Sequence, residues 1–185
     1  TRKVRSKKRV PVCAFCSREE NLDHGRAWTL FAPPVDRIVH YFKYRRNLKV
    51  GILLGRGMAT ILNHDFHLKG SDLIVPVPLF WLKRARRGYN QAQALARVLH
   101  QETGIPVLDG LRRVRFTRTQ TRLSESRRRE NVRGAFRLKR SEVAGKRILL
   151  VDDVMTTGAT IRECGRVLKE AGARRVYSLV AAITP

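Results

Sequence analysis

The apolar run Ile148-Leu-Leu-Val151, leading into Asp152-Asp-Val-Met-Thr-Thr-Gly-Ala-Thr160, constrains this chain more than any other stretch. From Lys146 to Val151 the pattern is apolar after its first two residues, as in a strand buried on both faces. Thr160 to Ala171 has helical spacing and is closed by Gly172, and Val176 to Ile183 is a second apolar strand. Strand, helix and strand in this order predict a right-handed βαβ unit, and with it a parallel sheet carrying helices on its faces.

The segment between strand and helix carries the chemistry. In an open parallel sheet, ligands bind beyond the carboxyl ends of the strands, and a helix N-terminus presents unpaired N–H groups and a partial positive charge to a phosphate. Gly158 lets the backbone approach closely, and the hydroxyls of Thr156, Thr157 and Thr160 add donors. Asp152 and Asp153 would repel a phosphate unless they accept from neutral donors, and the vicinal hydroxyls of a ribose 5-phosphate are such donors. The alternative is an Asp-Asp pair serving a metal or a phosphoryl group, with Thr-Thr-Gly as a plain N-cap turn.

Upstream, Asp72-Leu-Ile-Val-Pro-Val-Pro78 reads as a short buried strand. It is followed by a basic turn, Lys83 to Gly88, and a helix from Asn90 to Gln101. Val35, Ile38, Val39 and Phe42 recur at helical spacing behind Pro33-Pro34. A second helix is expected over Val50 to Asn63, although Gly51, Gly55 and Gly57 oppose it. Arg84, Arg86 and Arg87 either serve an anion or merely solvate a helix start. Trp28, Phe31, Phe80, Trp81 and Tyr89 read as packing residues, with base stacking beside basic loops as the alternative.

Lys and Arg number 39 against 15 acids, a formal charge of +24, so polyanions are the expected partners. Between Arg112 and Arg140 stand twelve Lys or Arg and two acids, Glu125 and Glu130. Nucleic acid, a phosphorylated substrate and a solvated face are all compatible with such a run. No apolar stretch reaches the roughly 18 residues of a membrane span. The basic start leads into Cys13-Ala-Phe-Cys16 instead of an apolar leader, so a cytoplasmic location is expected, and three cysteines suit a reducing compartment. Cys164 reads as packing, and His40, His64, His67 and His100 lack metal-ligand spacing.

Val151 to Thr160, with its preceding strand, resembles the signature of type I phosphoribosyltransferases that bind 5-phosphoribosyl-1-pyrophosphate (PRPP). Val75-Pro-Val-Pro78, Arg87-Gly-Tyr-Asn-Gln-Ala92, Arg115 with Gln120, and Arg129 with Asn131-Val-x-Gly-Ala-Phe136 narrow the resemblance to the ComF family of competence-associated proteins, over roughly residues 32 to 185. The resemblance implies an α/β fold of the type I phosphoribosyltransferase kind, with a mainly parallel central sheet flanked by helices. Residues 28–185 would form that domain, and residues 1–27 a basic, partial zinc-finger-like segment.

The same resemblance gives Asp152 and Asp153 the ribose hydroxyls and catalysis, and Thr156, Thr157, Gly158, Ala159 and Thr160 the 5-phosphate. Pyrophosphate is expected near Arg87 and Gly88. Arg118, Gln120, Arg122 and Arg129 would lie on a mobile loop that closes over the site, and Mg²⁺ would accompany PRPP. The expected reaction displaces pyrophosphate from C1 by a nitrogen nucleophile. Relatives carry two Cys-x-x-Cys pairs ahead of this domain. Cys13 and Cys16 therefore supply half of the four ligands zinc takes, with His24 as a further candidate and free thiols as the alternative. A link to DNA uptake or use is implied as well, either through single-stranded DNA or through the uptake machinery. A non-catalytic PRPP-fold binding module is the competing function, and a PRPP-sensing regulator a third.

Overall fold

The computed structural model describes residues 21–44, 47–115 and 130–185. Four strands, β1 (His24–Leu30), β2 (Leu73–Pro76), β5 (Arg147–Met155) and β6 (Arg175–Ile183), form a sheet in the order β1-β6-β5-β2. Every neighbouring pair is parallel. Two short strands, β3 (Leu111–Arg113) and β4 (Phe136–Leu138), pair antiparallel apart from it. The helices are α1 (Val35–Tyr44), α2 (Leu48–His64), α3 (Trp81–Arg87), α4 (Gln91–Thr103) and α5 (Ala159–Glu170). Among the described residues no helix is long and apolar enough to cross a membrane.

The two-residue period of β5 explains the layering. Ile148 and Leu150 point into one core with Cys164 and Leu168 of α5, while Leu149 and Val151 point into the other with residues of α1, α2 and α4. A strand with helices on both faces has no polar side, which is why its sequence is an unbroken apolar run. The expected βαβ unit is present as β5, α5 and β6, and its strands lie at the centre of the sheet.

The three glycines of α2 are contact points. A Cβ at Gly51 would lie 2.8 Å from the Phe42 ring, one at Gly55 2.6 Å from Val98 Cβ, and one at Gly57 2.3 Å from the Trp28 ring. Their absent side chains let α1, α4 and β1 close on α2, which offsets the roughly 0.5–1 kcal/mol that glycine costs a helix.

Three features differ from expectation. β5 continues past Val151 to Met155, because β6 pairs with it as far as Met155 opposite Ile183. Asp152 and Asp153 are therefore strand residues, and the turn proper is Thr156 to Gly158. The expected basic turn at residues 83–88 is helix α3, closed by Gly88 in the left-handed conformation at φ 81°. β1, in a region where no strand is expected, joins β6 and straddles residues 27 and 28, where head and domain are divided above.

Candidate functional site

Strand register creates the cleft. Pro76 lies opposite Val151, so the chain leaves β2 just as β5 reaches the two aspartates, and Val77 N–H donates to Val151 O at 2.9 Å. Asn90 folds the start of α4 back over this gap: its Nδ2 donates to Val77 O at 3.1 Å, while its Oδ1 caps the helix through Ala92 N–H at 3.1 Å. The resulting cleft, about 150 Å³, is lined by Leu79, Arg87, Asn90, Arg113, Asp152, Asp153 and Thr160.

The carboxylates sit in a strong local field. Asp153 is buried, and its Oδ1 is 3.2 Å from Lys43 Nζ. Burial, and next the charge of Asp153, push the Asp152 carboxyl up from an ordinary 3.8 to about 7. The Asp153 N–H on Asp152 Oδ1 at 2.8 Å, with Lys43 and Arg113, works in the opposite direction. Arg113, carried in by β3, lies with its guanidinium 5.2 Å from the Phe136 ring centre, and burial lowers its pKa from the ordinary value.

The start of α5 faces the same space. Gly158 is its N-cap at φ 72°, with no side-chain cap on the first-turn amides, and Arg162 Nη2 holds Thr157 O at 2.6 Å. Any β-carbon at Gly158 would meet strain from its left-handed backbone, and would lie 3.0 Å from Arg162 Nη1. A turn held this way, with helix amides ahead of it, can receive an anion.

The structure thus brings Asp152, Asp153, Thr160 and Arg87 around one cleft. Thr156 is exposed, Thr157 is partly buried, and Gly158 and Ala159 are buried at the turn. Gly88 faces a different groove, with Arg84, Tyr89 and Arg97. Arg118, Gln120, Arg122 and Arg129 lie outside the described residues, as do Cys13 and Cys16. The ends of the Arg-rich connector are nevertheless defined: Arg115 Nη2 donates to Asn131 O at 3.0 Å and Arg133 O at 2.9 Å. His24, a candidate zinc ligand above, has its Nε2 3.0 Å from Asp65 Oδ2. Sequence reasoning missed Lys43 and Arg113. Lys43 falls on the polar side of an amphipathic pattern, and Arg113 is one cation within a basic run, so neither carries a signal of its own.

A family model described as the phosphoribosyl transferase domain matches residues 57–183. Competence protein F of Haemophilus influenzae is 34% identical over 171 residues, covering 89% of this chain and 75% of that protein. The chain belongs to the phosphoribosyl transferase domain family, in its ComF branch. DNA utilization protein YhgH of Escherichia coli K12 is 35% identical over 153 residues, covering 79% of this ComF-family chain. The chain accounts for 66% of that relative, just under two thirds of its length. Among solved structures, the glutamine PRPP amidotransferase from B. subtilis complexed with ADP and GMP aligns with a TM-score of 0.49 and 26% identity, over 71% of this chain and 26% of that one. Within the ComF-family fold seen here, α1 and its Lys43 precede the span matched by the family model.

Proposed function

We propose that this chain binds PRPP in the cleft at the ends of β2 and β5 and transfers its ribose 5-phosphate to a nitrogen nucleophile, releasing pyrophosphate. One observation carries the reading: a carboxylate pair, an uncapped helix start and two arginines, Arg87 and Arg113, share a single cleft. Asp152 and Asp153 accept from the ribose hydroxyls, and Thr156 to Thr160 take the 5-phosphate at the helix start. Arg87, which lines the same cleft, receives the pyrophosphate. In the reaction the bond from C1 to the pyrophosphate oxygen breaks as the bond to nitrogen forms, and the carboxylates stabilise positive charge developing on the sugar.

Among the described residues no group of three or more His, Cys, Asp or Glu is arranged to hold a metal ion. Mg²⁺ would enter this cleft bound to the diphosphate, its usual mode with phosphate ligands, and would supply charge neutralisation for the leaving group.

A second reading is a module that binds PRPP and single-stranded DNA without turnover, in line with the names Competence protein F and DNA utilization protein given to the relatives. A groove of about 370 Å³ lined by Arg84, Arg97, Tyr89 and Gln93 favours it, since cations beside an aromatic ring suit a single strand. Trp81, on α3 with Arg84, is 67% exposed. Pyrophosphate release, assayed with candidate bases and with DNA, separates the two. An enzyme gives acceptor-dependent release that Asp152→Asn removes. A binder retains both ligands and releases nothing.

A further inference from the structure

The last turn of α1 is tied to the cleft from several directions. A helix C-terminus leaves carbonyls without intrahelical partners. Here Tyr89 OH donates to Phe42 O, and Gln91 Nε2 donates to Lys43 O at 3.4 Å. The Arg87 guanidinium lies over the Tyr44 ring, 5.3 Å from its centre. Phe42 is fully buried against Gly51, so the helix cannot slide along its neighbour without a clash. From this fixed end Lys43 reaches Asp153 at 3.2 Å, in a pair whose side chains are 22% and 10% exposed. A pair so withdrawn from water interacts more strongly than a surface one.

We propose that Lys43 is a positioning residue of the PRPP site: its ammonium holds Asp153 in the orientation that receives a ribose hydroxyl. The proposal rests on the PRPP reading above. Lys43 comes from α1, which precedes the span matched by the family model. The charge balance of the cleft agrees. Asp152 and Asp153 face Lys43 from α1, Arg113 from β3 and Arg87 from α3, with the buried Cys164 thiol behind Asp152. Without Lys43 the paired carboxylates lose a close counter-charge, and Asp153 loses the contact that orients it. If the ion pair were only a staple between α1 and β5, removing it would lower stability and leave ligand affinity and pH response unchanged.

Calorimetric titration with PRPP and, separately, with ribose 5-phosphate, both with Mg²⁺, tests this in the parent, Lys43→Met and Lys43→Arg. Both ligands carry the hydroxyls that Asp153 receives, and only PRPP carries the diphosphate. Lys43→Met should weaken both by a similar factor, about tenfold to a hundredfold, and Lys43→Arg should restore most of the loss. The midpoint of the affinity's pH dependence should also move upward in Lys43→Met, since a cation beside the carboxyl pair is gone. The double variant Lys43→Met/Asp153→Asn should bind no worse than Asp153→Asn alone. Undiminished binding of both ligands by a folded Lys43→Met chain overturns the assignment. So does a loss confined to PRPP, which would place Lys43 on the diphosphate itself. A parent that binds neither ligand removes the PRPP reading and this proposal together, whereas a parent that binds both leaves the role of Lys43 as the only point under test.

Discussion

Asp152 is placed against its own ionisation. Folding partly withdraws it from water and sets a second carboxylate beside it, and the nearby cations offset this only in part, leaving it at about 7 against an ordinary 3.8. Ionising it therefore costs more in the folded chain than in the unfolded one. Its effect on stability is absent at low pH, where both states are protonated, and grows unfavourable as pH rises from about 4 to about 7. Asp152→Asn should remove that loss, so thermal melts of the variant and the parent should differ more at pH 8 than at pH 4, with the variant the more stable. Ligand binding should run the other way. The carboxylate holds hydroxyl donors more strongly than the neutral acid does, so PRPP affinity in the parent should climb between about pH 6 and pH 8 and should be low and flat in Asp152→Asn.

At the scale of elements, close packing overrides propensity in α2. Gly55→Ala would favour an isolated helix, yet here the new methyl would lie 2.6 Å from Val98 Cβ, an atom next to the α4 backbone. The variant should lose about 1–3 kcal/mol in denaturant unfolding despite its better helix propensity. The glycines that oppose a helix in the sequence thus mark where neighbours approach, which single-residue propensity cannot express. β5, α5 and β6 were legible because strands buried on both faces leave long apolar runs. β1 was not: His24-Gly-Arg-Ala-Trp-Thr-Leu30 is an edge strand, mostly half-buried, with weak alternation. α3 escaped as well, because its basic residues show no apolar periodicity and Trp81 and Leu82 are exposed. The same contrast divides the site. Asp152 through Thr160 are contiguous and readable, whereas Lys43 and Arg113 reach the cleft only through tertiary structure, from a chain with 39 Lys and Arg among which to hide.

For the molecule as a whole, charge and cleft separate into distinct surfaces. The net charge of +24 draws any polyanion, and the β2 and β5 ends place two carboxylates in one cleft with Thr160 of α5. Arg84 and Arg97 line the neighbouring groove and do not line the cleft. Their joint replacement by Glu should weaken single-stranded DNA binding across sequences and flatten its salt dependence by about 1–2 logarithmic units per decade of salt, read by fluorescence anisotropy. PRPP affinity should be unchanged in that variant. Equal DNA affinity in parent and variant at low salt would remove this groove from the DNA surface. Calorimetry of the chain with PRPP and Mg²⁺ should show saturable binding at one site per chain, weakened at least about a hundredfold by Asp153→Asn. A chain that unfolds cooperatively, and so is folded, yet shows no PRPP binding would contradict it.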